Sequence, residues 1–474
     1  MLQDTLTGIV VAPWSPLYNE SRVDYNTRFP PFTPAYIVYC QKSMDVIRAI
    51  RWAISHRVRF RIRSGGHSYE AYSLLNGGIV IDVSAINHVD YAPDTGIAKI
   101  GAGAKLIDIY QSLWDLGRVT IPGGSCATVG IAGLTLGGGF GLVSRKFGLT
   151  CDSVVGLSMV DARGQLVEAS SSQNPDLFWA SRGGGGNNFG VVTEFRFKTH
   201  PVSDVTIFFL QWTWDRLWDV VPGFQQWADP FTLDDRIVAI LTLPAAVTGH
   251  VSITGEFLGD PQALLPLLAP LFKIAGMTEK VIRPMSYIDA VKHFAGIATE
   301  PHRWIAHGVP HHDTFKNTSA YTFEIFPDPA IRVIENALTH VPGPSALVQL
   351  DTYGGAIARV PEDATAFPHR KARSCLQFQT YWTKPEDTDA HIRWVEKFRR
   401  SMLPYTSGAY VNYCDSRIER WPRDYYDGNL KRLLAVKRRW DPKNAFQFPQ
   451  GLSQLVRAPG FCRSKINPGY DSNS

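Results

Sequence analysis

Short runs of β-branched and aromatic residues alternate with helical patterns over the first 200 residues. Strand-like runs lie at 35–39, 78–83 and 97–100, whereas apolar residues recur at helical spacing over 43–56 and 105–114. A strand shows β-branched runs between turns, and a helix repeats its apolar positions every three to four residues. This alternation predicts an α/β or α+β fold.

The pattern changes near residue 203, where glycine becomes sparse and 205–210 is typical of a long strand. Asp260 followed by Pro261 predicts the start of a helix, because Asp accepts N–H groups of the first turn and Pro suits its first position. We therefore expect a second sheet-and-helix domain at 203–407, after a first domain at 1–202 whose core spans about 30–202.

The remaining segment, 408–474, is predicted to return to the first domain. Leu430, Leu433 and Leu434 form an apolar stripe of a helix that Asn429 is expected to cap. Asp441 and Pro442 are expected to end this helix.

Length and charge exclude several classes of protein. The 474 residues exceed what one ordinary core supports. The net charge of +5, from 48 Lys and Arg against 43 Asp and Glu, is spread along the chain, which favours neither nucleic-acid binding nor a membrane surface. No apolar stretch is long enough to span a bilayer, and the first residues lack the features of a secretory signal. We expect an intracellular enzyme, although a mature secreted form without its signal would have the same features.

The cysteines and histidines do not predict a disulfide framework or a metal site. The six cysteines are sparse and form no CxxC pair. His307 and His311 are four residues apart, but Gly308 and Pro310 between them favour a loop over a helical face.

Glycine forms four groups, at 65–66, 123–124, 130–141 and 183–186. Glycine is needed where the backbone takes a positive φ or approaches a ligand closely, so these groups predict loops that converge on one large flat or phosphate-bearing ligand. The GxGxxG and GxxxxGK[ST] fingerprints are both absent from the sequence. The segment 63–68, RSGGHS, instead offers backbone N–H groups and a hydroxyl to a pyrophosphate.

These segments and several others together resemble the berberine bridge enzyme-like family, a branch of the vanillyl-alcohol oxidase superfamily. The matching segments run in family order from about 30 to 455: RSGGHSY at 63–69, GGSCATVG at 123–130, LGGGFG at 136–141, NPDLFW at 174–179, RGGGGNNFGVV at 182–192, YYDGN at 425–429 and DPKNAF at 441–446. The resemblance implies an α+β fold: a two-subdomain PCMH-type FAD-binding domain plus an α/β substrate domain whose antiparallel sheet is flanked by helices.

The resemblance also implies FAD as cofactor, attached covalently through two residues. His67 matches the histidine that bonds the 8α-methyl of the flavin, and Cys126 matches the cysteine that bonds C6. The other positions expected to contact the cofactor are Arg63, Ser64, Gly65, Gly66, Ser68, Gly124, Thr128, Val129, Gly130, Gly133, Gly137, Gly138, Gly139, Gly141, Leu142, Gly190, Val191, Val192 and Asn429.

Four positions are expected to act on the substrate. Tyr413 matches the tyrosine taken as general base in alcohol- and carbohydrate-oxidising members. Tyr69 matches an aromatic residue beside the substrate. Tyr410 lies on the same side of its strand as these groups only if the segment is irregular. Gln379 stands where the alkaloid-cyclising founder has a catalytic Glu, and an amide cannot act as a base, so this site favours a tyrosine-based oxidation.

The implied function is an FAD-dependent oxidase that acts on CH–OH groups. It would move a hydride from an alcohol or hemiacetal carbon to FAD and reduce O₂ to H₂O₂, with Val129 matching a gatekeeper whose small side chain is associated with oxygen access. A carbohydrate is the favoured substrate, and a secondary metabolite or aromatic alcohol, oxidised by an oxidase or a dehydrogenase, is the alternative. A binding protein without turnover fits less well because Tyr413, His67 and Cys126 are all present. The expected partners are the small-molecule substrate and O₂, with no nucleic acid, no membrane and no metal, and we expect a monomer.

Overall fold

The computed structural model describes residues 3–297 and 312–456. In chain order the strands are β1 (Ile9–Val11), β2 (Tyr36–Tyr39), β3 (Phe60–Arg63), β4 (Ile79–Asp82), β5 (Val89–Ala92), β6 (Ile97–Gly101), β7 (Val119–Thr120), β8 (Val154–Asp161), β9 (Leu166–Ser170), β10 (Gly190–Lys198), β11 (His200–Pro201), β12 (Asp204–Thr213), β13 (Ile237–Pro244), β14 (His250–Phe257), β15 (Met277–Ser286), β16 (Phe315–Thr322), β17 (Ala346–Thr352) and β18 (Ser374–Tyr381).

The helices lie between the strands and, near the end of the chain, after them. They are α1 (Tyr18–Ser21), α2 (Ser43–Ser55), α3 (Leu106–Gly117), α4 (Ile131–Leu136), α5 (Ser144–Phe147), α6 (Pro175–Ala180), α7 (Leu217–Trp227), α8 (Pro261–Phe272), α9 (Tyr287–Phe294), α10 (Asp328–Thr339), α11 (Ala356–Arg359), α12 (Thr388–Met402), α13 (Trp421–Tyr426) and α14 (Leu430–Trp440). The expected α+β class is confirmed.

Two large sheets form the N-terminal part, together with a short antiparallel pair of β7 and β11. In the first, β2, β4 and β3 run parallel and β1 pairs antiparallel at the edge, in the order β1-β2-β4-β3. The second is antiparallel, in the order β5-β6-β10-β8-β9. They share one hydrophobic core, which also takes in buried residues of the C-terminal segment such as Tyr426, Leu433 and Leu452.

The third sheet is antiparallel, with its strands in the order β15-β12-β14-β13-β17-β18-β16. Its strands alternate between two environments, because successive side chains of a strand point to opposite faces. Leu376 and Phe378 of β18 pack with α12 in a second hydrophobic core, whereas Gln377 and Gln379 face the opposite side. That opposite face is where the candidate site lies.

Two predictions of helix ends had different outcomes. The start of α8 is confirmed, since the Asp260 carboxylate accepts the Ala263 N–H at 2.9 Å. Helix α14 begins directly after Asn429, but the prediction that the Asn429 side chain caps it is wrong. The amide donates instead to the carbonyl oxygens of Glu362, Thr365 and Ala366, which holds a neighbouring loop to the helix.

Candidate active site and cofactor cradle

A cavity of about 540 Å³ lies between the glycine-rich loops of the first core and the polar face of the third sheet. The loops at 64–69, 124–130 and 185–187 form one wall. Residues of β16, β18 and the turn at 410–414 form the other. Segments far apart in sequence therefore meet at one site, as the grouping of glycines predicts.

His67 lies on the loop wall with its ring held on two sides. Its Nε2 is 2.8 Å from Oγ1 of Thr128, and the Tyr25 ring stacks on it with centroids 4.3 Å apart. The Tyr25 hydroxyl in turn donates to the Asp313 carboxylate at 2.5 Å. Burial, and then the positive charge of Lys105, lower the pKa of His67 to about 3, so its imidazole is neutral at physiological pH.

Cys126 shares this wall and presents its side chain to the cavity. Burial raises the pKa of its thiol, while the N–H groups of Thr128 and Val129 and the Thr128 hydroxyl act in the opposite direction. Both residues expected to attach the cofactor therefore border the same space, and Thr128, which is hydrogen-bonded to His67, also acts to lower the pKa of Cys126.

The loop wall has the features that a flavin dinucleotide requires. Within the described ranges, the backbone N–H groups of Gly65 to Ser68 have no hydrogen-bond acceptor from the chain, so they are available to an anionic group. A Cβ at Gly65 would lie 2.3 Å from the backbone nitrogen of Gly130, so only glycine allows these loops to approach each other. A Cβ at Gly133 would meet no atom within 4 Å and would project into the cavity. These residues fit FAD.

Two tyrosines meet at the cavity, Tyr69 from the loop wall and Tyr413 from the opposite wall. The rings of Tyr69 and Tyr413 are stacked with centroids 5.4 Å apart and planes 2° from parallel. The Gln377 amide donates to the Tyr69 hydroxyl at 2.6 Å. The segment that carries Tyr413 is irregular, a 3₁₀ turn over Val411–Tyr413, and this turn brings Tyr410 to the cavity as well. The Tyr410 hydroxyl accepts the N–H of Gly139 at 3.0 Å, which links the turn to the loops.

Gln379 belongs to a chain of amides and hydroxyls on the sheet. Its amide donates to the Gln349 side chain at 2.6 Å, and the Tyr381 hydroxyl donates to its oxygen at 2.9 Å. Asn317 then donates to the Tyr381 hydroxyl at 3.1 Å. Sequence reasoning missed Asn317 and Tyr381, although the alternation of β16 and β18 around Gln377 and Gln379 could have indicated them.

The lining of the cavity carries no Asp, Glu, Lys or Arg among the residues that the structure describes. A nearby cation would help a tyrosine to ionise, and none of these lining residues supplies one. Burial raises the pKa of Tyr413 well above its ordinary value, and the nearby Tyr69 and Asp351 raise it further. The Asp351 carboxyl, which sequence reasoning also missed, is itself buried, and its pKa rises to about 7.

Ten of the expected cofactor positions line the cavity: Ser64, Gly65, Gly66, His67, Ser68, Gly124, Cys126, Val129, Gly130 and Gly133. Eleven do not line it: Arg63, Thr128, Gly137, Gly138, Gly139, Gly141, Leu142, Gly190, Val191, Val192 and Asn429. Arg63 is the clearest case, because its guanidinium is buried in an ion pair with Asp82 and donates to the Ser21 carbonyl at 2.6 Å. Its place beneath the loop supports the cradle without facing a ligand.

Three buried charges lie directly behind the tyrosines. Lys316 forms ion pairs with Glu70 and Asp415, and the Ser416 hydroxyl donates to Glu70 at 2.9 Å. Glu70 follows Tyr69 in the chain, Lys316 precedes Asn317, and Asp415 lies two residues after Tyr413. We call Glu70, Lys316 and Asp415 the buried triad, and it connects three stretches that each supply a residue to the cavity.

Two other expectations concern metals and membranes. Over 3–297 and 312–456, no group of three or more His, Cys, Asp or Glu side chains is arranged to hold a metal ion. His307 and His311 lie outside the described residues. In the same part of the chain, the helices are too short or too polar to cross a bilayer.

A cradle that fits FAD, with two stacked tyrosines in the same cavity, is the arrangement of a flavin-dependent oxidoreductase. The comparison with known families agrees, since a model of the FAD binding domain matches residues 34–170 and a model described as berberine and berberine like matches residues 409–453. An FAD-linked oxidoreductase of Bacillus subtilis, YgaK, is 40% identical over 97% of this chain and 99% of its own. The chain belongs to the berberine bridge enzyme-like family of FAD-linked oxidoreductases.

Other relatives differ in the substrates that their names state. The chitooligosaccharide oxidase of Gibberella zeae is 31% identical, over 93% of this chain and 91% of its own. A monolignol oxidoreductase of Arabidopsis thaliana is 30% identical, over 89% of this chain and 83% of its own.

Solved structures show the same fold. The berberine bridge enzyme-like 1 protein of Physcomitrella patens superposes with a TM-score of 0.89 at 31% identity, over 95% of this chain and 97% of its own. The grass pollen allergen Phl p 4 superposes with a TM-score of 0.87 at 28% identity, over 94% of this chain and 96% of its own. That allergen is described as having glucose dehydrogenase activity, and an isoleucine-to-valine variant of it as a glucose oxidase.

Proposed function

We propose that this protein oxidises a hydroxyl-bearing carbon of an uncharged carbohydrate, with FAD held covalently by His67 and Cys126 and with O₂ as the electron acceptor. The observation that carries the proposal is the second wall of the cavity. Amide and phenol groups of Asn317, Gln377, Gln379 and Tyr381 face the cradle, and no charged side chain lines the cavity within the described residues. Such a wall suits a neutral polyol, whose hydroxyls both donate and accept hydrogen bonds.

FAD supplies the two-electron chemistry when it is bound, taking up a hydride and passing the electrons to O₂. The chain has to bind the sugar, orient it and take the hydroxyl proton. We assign that proton to the Tyr413 oxygen. The stacked Tyr69 ring fixes the plane of the Tyr413 ring, and the hydrogen bond from Gln377 fixes the Tyr69 hydroxyl. A positioned base of this kind contributes about 10²–10⁴-fold to rate.

Gln379 is assigned to orientation. Its side chain already bonds Gln349 and Tyr381, so it presents a fixed dipole to a substrate hydroxyl rather than accepting a proton. The amide network is thereby preorganised, and a sugar would not have to order it on binding.

Covalent attachment is supported by the position of its two residues. His67 and Cys126 border one cavity from neighbouring loops, and the imidazole is neutral and so retains a nucleophilic nitrogen. Val129 borders the cavity beside them and supports O₂ as acceptor, by analogy with the pollen enzyme whose valine variant is described as an oxidase.

An aromatic alcohol is the second candidate substrate. Tyr25, Phe140, Phe315 and Phe448 also line the cavity, and such rings stack on aromatic substrates as well as on sugars. The monolignol oxidoreductase among the relatives supports this alternative.

The two candidates are separated by anaerobic mixing of the purified protein with matched compounds, while flavin absorbance is followed. The set contains reducing mono- and oligosaccharides, the methyl glycosides of the same sugars and cinnamyl-type alcohols. We expect the reducing sugars to bleach the flavin and the methyl glycosides not to, because the glycosides lack the hemiacetal hydroxyl. Bleaching by the aromatic alcohols alone would establish the alternative and reject the carbohydrate.

A further inference from the structure

Thr128 stands between the two residues that are proposed to bind FAD covalently. Its Oγ1 is 2.8 Å from Nε2 of His67, and its hydroxyl also acts on the Cys126 sulfur. The side chain itself is buried, 5% exposed, and does not line the cavity. A hydroxyl that is buried between two nucleophiles can accept a hydrogen bond from one and donate to the other.

The direction of the hydrogen bond between His67 and Thr128 follows from the proposed attachment. Bond formation needs a free lone pair on the other ring nitrogen, so we assign the imidazole hydrogen to Nε2, which donates to Thr128 Oγ1. His67 is then the Nε2–H tautomer, and the lone pair of Nδ1 has no hydrogen-bond donor among the described residues. Tyr25, stacked on the ring, holds its plane. Thr128 accepts from Nε2–H and can donate its own hydrogen to the sulfur.

We infer that the Thr128 hydroxyl is a positioning residue for covalent attachment of FAD, which couples His67 to Cys126. It holds His67 in the tautomer whose Nδ1 is free to form the bond. When Nδ1 becomes bonded to carbon, the imidazole has to lose the Nε2 proton to become neutral again. Thr128 Oγ1 is the atom placed to receive that proton, and it gives up its own proton to water. This inference rests on the proposed attachment through both residues.

The overall change is balanced with O₂ as the oxidant. Each attachment breaks one C–H bond of the flavin and one N–H bond of His67 or S–H bond of Cys126, and forms one C–N or C–S bond. The two hydrogens leave with two electrons, and O₂ takes them up as H₂O₂. Thr128 gains and loses one proton and is unchanged at the end.

The test compares Thr128→Val with Thr128→Ser in the full-length chain. Valine keeps the volume and the backbone carbonyl but removes the hydroxyl, and serine keeps the hydroxyl. The control is Thr135→Val, since Thr135 is a buried threonine of α4 whose hydroxyl has no hydrogen-bond partner among the described residues. Cells are harvested at intervals after induction. Flavin fluorescence per polypeptide is measured on denaturing gels, and peptide masses show whether His67, Cys126 or both carry flavin.

We expect Thr128→Val to retain yellow, noncovalently bound flavin but to form covalent bonds about 10²-fold more slowly, the lower end of what a positioned proton-transfer group contributes. Thr128→Ser and Thr135→Val should match the wild type. Thr128→Ala against Thr128→Ser repeats the comparison if the valine variant does not fold. If the wild type and the variants without the hydroxyl form covalent bonds to flavin at equal rates, the role of Thr128 is overturned, and the proposed attachment through His67 and Cys126 stands. A wild type without covalent flavin would reject the attachment itself, and this inference with it.

Discussion

Tyr413 lines the cavity and is the residue that we propose takes the substrate proton. Replacing it with Phe removes the phenol but keeps the ring that stacks on Tyr69. We expect flavin reduction to slow by about 10²–10⁴-fold, with flavin attachment preserved. Anaerobic stopped-flow absorbance measures this rate. The control is Tyr321→Phe, a tyrosine that is buried but does not line the cavity, and it should react like the wild type. An unchanged rate in Tyr413→Phe would move the base to another residue, with Tyr410 the first candidate.

The pKa of Tyr413 predicts the pH dependence of the same step. Burial raises this pKa above the ordinary value, and no cation lines the cavity over the described ranges to lower it. The ionised base is therefore a minor form at neutral pH, and its fraction rises about tenfold for each pH unit below the pKa. We expect the rate of flavin reduction to increase from about pH 6 to 10, and to become flat in Tyr413→Phe. A rate that falls with rising pH would contradict an ionised phenol as base.

Val129 is predicted to control the reaction with oxygen. Its side chain borders the cavity on the cradle wall, so a larger side chain there would fill space beside the flavin. We expect Val129→Leu to react with the substrate at the wild-type rate but to be reoxidised by O₂ more slowly, while reduction of an artificial acceptor is preserved. Mixing of the reduced enzyme with O₂ measures this, and unchanged reoxidation would remove Val129 as the gatekeeper.

At the scale of residues, the sequence predicted the parts of the site that lie in motifs. His67, Cys126, Tyr69 and Tyr413 all reach the cavity. Asn317 and Tyr381 were not predicted, because a polar residue in a strand gives no sign of which cavity its face will border. The sequence also could not show that the Arg63 guanidinium would form an ion pair with Asp82, since that pairing depends on the register of two parallel strands.

Among the elements, the buried triad predicts where stability is most sensitive. Lys316→Met would leave Asp415 buried without its cation and Glu70 paired with Arg28 alone, at an expected cost of about 3–5 kcal/mol in the free energy of unfolding. Lys146→Met is the matched control, because Lys146 pairs with Asp235 near the surface and such pairs contribute about 0–1 kcal/mol. Chemical denaturation of both variants measures the difference. Equal losses would show that the triad does not hold the three stretches together.

The elements that were predicted best have strong local signals. Helix α8 begins at the predicted capping aspartate, and β4 lies within the strand-like run predicted at 78–83. The predicted Asn429 cap does not form, because its side-chain amide donates to three carbonyl oxygens of a loop distant in sequence. This tertiary contact outweighs the local preference of Asn for capping. The turn at 411–413 has no glycine or proline, so its 3₁₀ form could not be predicted from composition.

For the whole molecule, the function depends on how two hydrophobic cores meet. The first core takes in buried residues of the C-terminal segment, and the second supports the face of the third sheet that borders the cavity. The resemblance to a known family predicted the α+β fold. Hydrophobic periodicity alone predicts the elements but not which sheet faces which loop, because that arrangement is set by contacts between distant segments.

The proposed function is tested most directly by H₂O₂ formation in air. The purified protein is mixed with the reducing sugars and the aromatic alcohols, and H₂O₂ is measured together with the oxidised product. The account predicts one H₂O₂ for each reducing sugar oxidised, from a protein whose yellow flavin stays on the polypeptide in a denaturing gel. Product formed only with artificial electron acceptors and without H₂O₂, or a flavin that is lost on denaturation, would contradict it.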